Sequence, residues 1–151
     1  MAWTQSFIPS ATFRDVLNGT LSPNFSSDIF KVALYDNSIT ATMDDDPNTY
    51  GSAKWATEVT GTNWPAGGVA LSAVTTPIAL VAGNGIKFDA NDINVASTTI
   101  STAAFGCLIY DSTLTAKNGW VAVEFGSGYT TNNGTFGITW NASGIFTVKL
   151  F

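Results

Sequence analysis

The feature that most constrains the fold is a run of short apolar segments from residue 69 to residue 151, with turn residues between nearly all of them. Segments that alternate apolar and polar side chains are typical of strands with one buried face. The last two segments alternate most regularly and flank a four-residue loop, so they predict a terminal hairpin. The predicted strands in this part of the chain are 69–74, 77–81, 86–90, 97–101, 105–110, 119–125, 135–140 and 145–151.

The N-terminal part of the chain adds a helix and one further strand. Thr12 and Asp15 have the spacing of a capping box, and the pair Asn18-Gly19 supplies a stop, so the sequence predicts a short helix between them. Residues 29–35 alternate up to a turn signal that begins at Asp36, which predicts a strand with one buried face. We expect residues 1–12 to form an N-terminal arm.

Residues 40–67 are the least regular stretch and predict a long surface excursion. Within it, residues 52–60 predict one or two helical turns with Trp55 and Val59 facing inward. Long loops often bind something, so the excursion is a candidate contact surface. Taken together, the pattern predicts an all-β fold: one domain, a β-sandwich or barrel of about nine short strands, with a short N-terminal helix.

Composition excludes several classes of function. The chain has no histidine and one cysteine, which excludes Ser-His-Asp and Cys-His catalysis, histidine-ligated zinc and an internal disulfide framework. Only 11% of residues are charged and the net charge is −5, so there is no basic footprint for nucleic acid. We also find no secretory signal and no apolar run of membrane-spanning length. The sequence therefore predicts a soluble product of the cytosol with no cofactor, nucleic-acid partner or membrane segment.

The acidic residues suggest candidate metal and catalytic sites, and each has a simpler explanation. Residues 44–46 are three consecutive aspartates that could collect calcium, but a solvated turn before a proline explains them better. Residues 89–94 lack the glycine and the closing glutamate of an EF-hand loop, and a turn at the end of a strand accounts for them. Glu58 and Glu124 are the only glutamates, and no feature of the sequence pairs them as a glycosidase requires. We therefore predict no catalytic and no metal-binding residues.

The aromatic residues are candidates for sugar-stacking platforms, for the core or for a subunit interface. Trp140 lies on an alternating strand and is predicted to be in the core, whereas Trp3 and Trp64 lie in irregular segments and are better interface candidates. Cys107, inside an apolar strand, is predicted to be an inert buried thiol.

One internal similarity links residues 34–41 with residues 109–116. Both begin with two residues of a strand and continue with an aspartate-initiated turn. Duplication is one explanation. We favour two neighbouring strands that end in the same kind of turn, because such turn chemistry recurs readily.

Five short segments follow one another along nearly the whole chain, at residues 17–20, 27–36, 61–68, 88–92 and 138–146. In this order and spacing they resemble a family of small virion structural proteins from tailed bacteriophages. The resemblance implies a non-enzymatic particle component, a capsid decoration (cement) protein. Such a protein sits on the capsid surface of the virion and ties neighbouring subunits of the major capsid protein together. It would be made in the cytoplasm of the bacterial host.

On this basis we expect a homo-oligomer, with a trimer favoured, whose shell contacts involve the N-terminal segment and the 40–67 excursion. An apolar C-terminal residue suggests that the last strand is covered by the sandwich or by a neighbouring subunit. The alternative is a head-fibre, neck or tail surface module that binds host carbohydrate or a receptor. The interface candidates are Trp3, Phe7, Ile8, Trp55, Trp64 and Phe151.

Overall fold

The fold is all-β with one short helix, as the sequence predicts. A computed structural model describes residues 3–72, 78–81 and 85–149. Their elements are α1 (Ser10–Leu17), β1 (Phe30–Tyr35), β2 (Glu58–Val59), β3 (Val69–Ala70), β4 (Ile78–Val81), β5 (Gly85–Phe88), β6 (Ile93–Asp111), β7 (Gly119–Ile138) and β8 (Phe146–Lys149).

Strand β1 lies inside the larger, five-stranded sheet. One of its edges pairs with β6 and the other is shared by β2 and β3, all antiparallel. The sequence predicts one buried face for this strand, and that prediction is wrong, because Val32, Ala33, Leu34 and Tyr35 are all inaccessible to solvent. Both faces are covered because the sheet has a hydrophobic core on each side.

Strands β6 and β7 form one long hairpin, where the sequence predicts four shorter strands. The hairpin pairs Ile93 with Ile138 at its open end and Tyr110 with Gly119 near its turn. The Gly-Ser-Gly stretch at 126–128 follows the predicted strand 119–125, so the sequence predicts a turn there. Instead it forms a bulge: β7 advances five residues from Glu124 to Tyr129 while β6 advances two.

The smaller sheet contains β4, β5 and β8. The predicted terminal hairpin is wrong, because β8 pairs with β5, with Phe88 opposite Phe146, and not with β7. The loop before β8 does turn, with a bond from the Gly144 N–H to the Asn141 carbonyl of 2.8 Å. It carries the chain from one sheet to the other.

The inner core, the cluster between the two sheets, is dominated by aromatic rings. Phe30 of β1 contacts Phe88 of β5 with 5.3 Å between ring centroids, and Phe88 stacks on Phe146 of β8 at the same distance. Phe25 packs edge-on against Trp120 of β7 at 4.7 Å. These contacts between sheets make the fold sandwich-like.

The outer core covers the opposite face of the larger sheet. The side chains of Tyr35 and Tyr110 on the sheet meet Trp3 and Phe7 from the N-terminal segment and Trp55 from the excursion. The Trp55 ring lies 4.8 Å from Tyr35 and 5.6 Å from Trp3, measured between centroids. The predicted arm is therefore folded against its own chain from residue 3 onward.

Helix α1 begins at Ser10, two residues before the predicted cap, with Pro9 as its N-cap residue. Thr12 makes no cap, because it lies inside the helix and its buried hydroxyl donates to the Gly119 carbonyl at 2.8 Å. The predicted stop is confirmed, since Gly19 has a φ of +71°.

The 40–67 excursion forms short pieces of regular structure on the larger sheet. A single 3-10 turn at Ala53–Trp55 precedes β2, so the prediction of one or two helical turns holds only for its first few residues. The Trp55 indole N–H donates to the side-chain oxygen of buried Asn48 at 2.7 Å. Val59 and Trp64 are also buried, so this stretch supplies core as well as surface.

The two similar segments lie on neighbouring strands, since β1 pairs directly with β6. An aspartate lies directly after β1 and at the last position of β6, and its Oδ1 accepts the N–H two residues later, Asp36 from Ser38 and Asp111 from Thr113, at 2.8 and 2.9 Å. Because the strands are antiparallel, the two turns lie at opposite ends of the sheet.

Candidate functional site

The outer ribbon, residues 93–104 of β6 with residues 125–138 of β7, is the most exposed part of the hairpin. Strand β1 reaches β6 only between Gly106 and Asp111, so the outer ribbon extends past it. Residues 126–130 are all exposed. No charged residue occurs in 93–110 or in 125–148, although the chain carries 17 charged residues elsewhere.

A groove of about 430 Å³ lies along the outer ribbon. Its apolar lining comes from Phe125, Phe136 and Ile138, and threonine hydroxyls supply most of its polar groups. Tyr129 stands at the groove with half of its surface exposed, its ring 6.2 Å from that of Phe125. This ribbon groove combines an exposed aromatic ring with neutral hydrogen-bonding groups.

The edge of β7 that faces away from β6 is paired with the N-terminal segment at one end only. The N-terminal segment pairs with it at Ala122, where the Phe7 N–H and carbonyl both make 2.9 Å bonds. The Ser6 hydroxyl then accepts the Glu124 N–H. Beyond that point, residues 125–138 make no hydrogen bond from backbone to backbone in the described ranges except those that pair β7 with β6.

A second groove, the helix groove, lies between α1 and β8 and has a volume of about 550 Å³. Leu17 is the most exposed large apolar side chain among the described residues, with 83% of its surface accessible. The helix groove is lined by Ile8, Pro9, Ser10, Phe13, Arg14, Leu17, Asn18 and Val148.

A third, polar cleft of about 490 Å³ surrounds Trp140, which is half-buried although the sequence predicts it in the core. Its indole N–H donates to the Asn91 carbonyl at 3.1 Å, and its backbone N–H donates to Asp92 at 2.9 Å. Asp89 lies in the same cleft and forms an ion pair with Lys87 at 2.8 Å.

Asp111 is fully buried and faces a second carboxylate, Asp28. One Asp111 oxygen accepts N–H groups of the following turn, while the other has no hydrogen-bond donor. Neither aspartate has a lysine or arginine within 4 Å among the residues described. Burial, followed by the negative charge of Asp28, raises the pKa of Asp111 to about 6.

Four of the six interface candidates are core residues of the chain itself. Trp3, Phe7, Trp55 and Trp64 are at most 8% exposed, so a partner could reach these side chains only if the chain opened. Ile8 is half-buried and lines the helix groove. Phe151 lies outside the described residues. The interface role of all six stays a prediction.

Glu58 and Glu124 are held by different groups and do not contact each other in any hydrogen bond of the described residues. They occupy one row of the larger sheet, with the strands β1 and β6 between them. Three interstrand spacings of about 4.8 Å put their backbones roughly 14 Å apart. The Glu58 carboxylate accepts hydrogen bonds from the Tyr50 hydroxyl and the Gly67 N–H, and the Glu124 carboxylate accepts one from the Gly126 N–H.

Two of the three consecutive aspartates form ion pairs, each with a different basic residue. Asp45 accepts the Thr42 N–H and pairs with Lys54 at 3.3 Å, while Asp46 pairs with Arg14 at 2.6 Å. The hydrogen bond from Arg14 lowers the pKa of Asp46. In the described ranges no group of three or more histidine, cysteine, aspartate or glutamate side chains could hold a metal ion. The solvated-turn interpretation accounts for these contacts.

Cys107 is buried on β6, as predicted, and burial raises the pKa of its thiol above the ordinary value. Within the described ranges, no helix has the length and apolar character needed to span a bilayer.

Sequence reasoning missed the outer ribbon, the exposed Leu17 and the facing pair Asp28 and Asp111. The absence of charged residues over 125–148 could have indicated the outer ribbon from the sequence alone. No protein-family model, curated protein or solved structure matches this chain.

Proposed function

We propose that the chain is a structural protein of a tailed-phage virion, a capsid decoration protein that binds the major capsid shell and stabilises it through subunit contacts. It works without enzymatic chemistry or a cofactor, as a homo-oligomer on the capsid surface, after synthesis in the bacterial cytoplasm. The five-segment resemblance supports this proposal. The neutral, hydroxyl-rich surface of the outer ribbon suits protein contact better than binding of nucleic acid.

The observation that carries the proposal is the helix groove. Leu17 at 83% exposure stands beside the half-buried Ile8 and Phe13, so apolar surface is left open to water. Burying a leucine side chain yields about 1.5 to 3 kcal/mol, so such a surface gains from contact with another protein. Ile8 and Pro9 belong to the N-terminal segment that the sequence predicts at the shell contact.

Replacing Leu17 by lysine should weaken shell binding at least about tenfold, because it puts a charge where a leucine would be desolvated. The fold should be unaffected, because Leu17 is 83% exposed. The measurement is the amount of protein that co-sediments with capsid shells lacking it, over a range of concentrations. The control is Ile29→Lys, which adds the same charge at another exposed apolar side chain, 55% accessible. Equal occupancy for both variants would remove the helix groove from the shell contact.

A second candidate function, a surface module that binds host carbohydrate, is favoured by the cleft at Trp140. Sugar recognition combines an aromatic face with carboxylate and amide groups, and this cleft brings Trp140 together with Asp89, Asp92 and Asn141.

If the cleft binds carbohydrate, Trp140→Ala should lower binding on a glycan array by about tenfold or more, because it removes the aromatic ring that lines the cleft. Tyr129→Ala is the matched control, since it removes an exposed aromatic ring from the outer ribbon instead. An array on which the unaltered protein binds no glycan would eliminate the carbohydrate module.

A further inference from the structure

We propose that two copies of the chain associate about a two-fold axis through their outer ribbons, with Tyr129 of each copy packed into the ribbon groove of the other. This inference rests on the proposed function only in taking the protein to be a homo-oligomer. It replaces the trimer favoured from the sequence with a two-fold pair, names the surface of that self-contact, and uses a different surface from the helix groove.

Charge selects the second copy as the occupant. Each chain carries a net charge of −5, so two copies repel each other wherever their acidic surfaces approach. The outer ribbon has no charged residue on either strand, and it is continuous with the uncharged residues 139–148. Copies therefore meet here with the least repulsion. A basic partner would gain more by binding the acidic loops than by binding this neutral surface.

The hydrogen-bonding groups of the outer ribbon are self-complementary. A two-fold contact brings each group against the same group, or one close to it, on the partner copy. Threonine hydroxyls and asparagine amides both donate and accept, so they pair favourably with themselves, whereas facing carboxylates would repel. The exposed positions include Thr130, Asn132, Asn133 and Thr135.

The ribbon groove supplies the apolar part of the contact. Tyr129 is 50% exposed beside a groove lined by Phe125, Phe136 and Ile138. Tyrosine suits such an anchor because it buries a ring while its hydroxyl keeps a hydrogen bond.

The contact runs through side chains and not through a continuous added strand. The β6–β7 pairing shifts register several times along the outer ribbon, and Ser97 and Asn133 have φ values of +55° and +48°. Bulges of this kind interrupt an edge and prevent long strand addition.

The test is analytical ultracentrifugation of the purified chain over a concentration series, where we expect a monomer–dimer equilibrium. Thr130→Asp with Thr135→Asp places charges in the groove lining and should weaken the dimer at least about tenfold. The control, Thr40→Asp with Thr115→Asp, makes the same charge change at exposed threonines away from the ribbon and should change the dissociation constant by less than about threefold. Hydrogen exchange of the unaltered protein should show protection of residues 125–138 that rises with concentration, while residues 113–116 stay unchanged.

A monomer at all concentrations overturns the proposal, and a trimer overturns its two-fold symmetry. A dimer that the ribbon variant leaves intact, or exchange protection elsewhere, overturns its location. The proposed function fails separately. A monomer that still binds capsid shells removes the pairing and the homo-oligomer but leaves the shell-binding role, and a dimer that binds none removes only the decoration role.

Discussion

Replacing Gly68 by alanine is expected to destabilise the protein by about 2 to 5 kcal/mol, although the substitution adds only one methyl group. The alanine Cβ would lie 1.8 Å from the carbonyl oxygen of Val32 and 2.8 Å from the Cα of Ala33. Both are backbone atoms of β1, which pairs on both edges and cannot move aside. Gly68 also has a φ of +71°, which costs an alanine roughly 1 kcal/mol or more.

Urea denaturation of Gly68→Ala beside Gly126→Ala separates these two causes. Gly126 has a similar φ, +80°, but a Cβ there meets no atom within 4 Å, so only the backbone cost of about 1 kcal/mol remains. If Gly68→Ala unfolds in the same urea concentration as Gly126→Ala, the close contact with β1 is absent.

Replacing Asp111 by asparagine should remove a pH dependence of stability worth up to roughly 3 kcal/mol. The folded-state pKa of Asp111 is raised to about 6 from an ordinary 3.8, and each pKa unit corresponds to about 1.4 kcal/mol. A raised carboxyl pKa means that the folded state holds the proton more tightly. The stabilisation of the folded state by the protonated Asp111 carboxyl is complete below pH 3.8 and is lost as the pH rises through about 6.

Asparagine keeps the oxygen that accepts the N–H groups of Thr113 and Leu114, and its amide can donate to Asp28. The variant should therefore gain stability relative to the unaltered protein between pH 4 and pH 7. Urea unfolding at several pH values measures this difference, and a difference that is the same at both ends of the range would refute the prediction.

Asp36→Asn provides a control with the opposite sign. Burial raises the pKa of Asp36, but hydrogen bonds from the hydroxyl and the N–H of Ser38 outweigh it and leave the pKa lowered. Its contribution to stability is present above the ordinary pKa and is lost as the pH falls. This variant should therefore lose stability at pH 7 and lose less at low pH.

The sequence predicted the parts of the fold that depend on local pattern. Alternation located β1, β5 and β8 to within a few residues, and Gly19 marked the end of α1. The sequence also predicts where β1 and β6 end. Asp36 and Asp111 each accept a hydrogen bond from the turn that follows, and such a turn depends only on residues that are close in the sequence.

The sequence does not predict which strands pair or which side chains are buried, because both depend on residues that are far apart in the chain. The glycines at 126 and 128 have the composition of a turn, yet β7 continues through them alongside β6, and its extra residues form a bulge. The turn before β8 is present, but no local signal states that β5 is its partner strand. Thr12 has the spacing of a cap, and its hydroxyl instead meets the carbonyl of Gly119, 107 positions away.

The candidate surfaces were missed for a related reason. The position of Trp3 and Trp64 in irregular segments predicts contacts with a partner, whereas both side chains fill cores of their own chain. Conversely, Leu17 lies at the end of the predicted short helix, and 83% of its surface remains exposed.

The pairing of the N-terminal segment with β7 fixes an order of events during folding. Trp3 and Phe7 leave the ribosome well before Ala122, the pairing partner of Phe7, which is made more than a hundred residues later. At about 5 to 20 residues per second the segment waits on the order of ten seconds for its strand. The outer core therefore cannot close over Trp3 and Phe7 until β7 has been made, and these two rings stay without their partner strand until then.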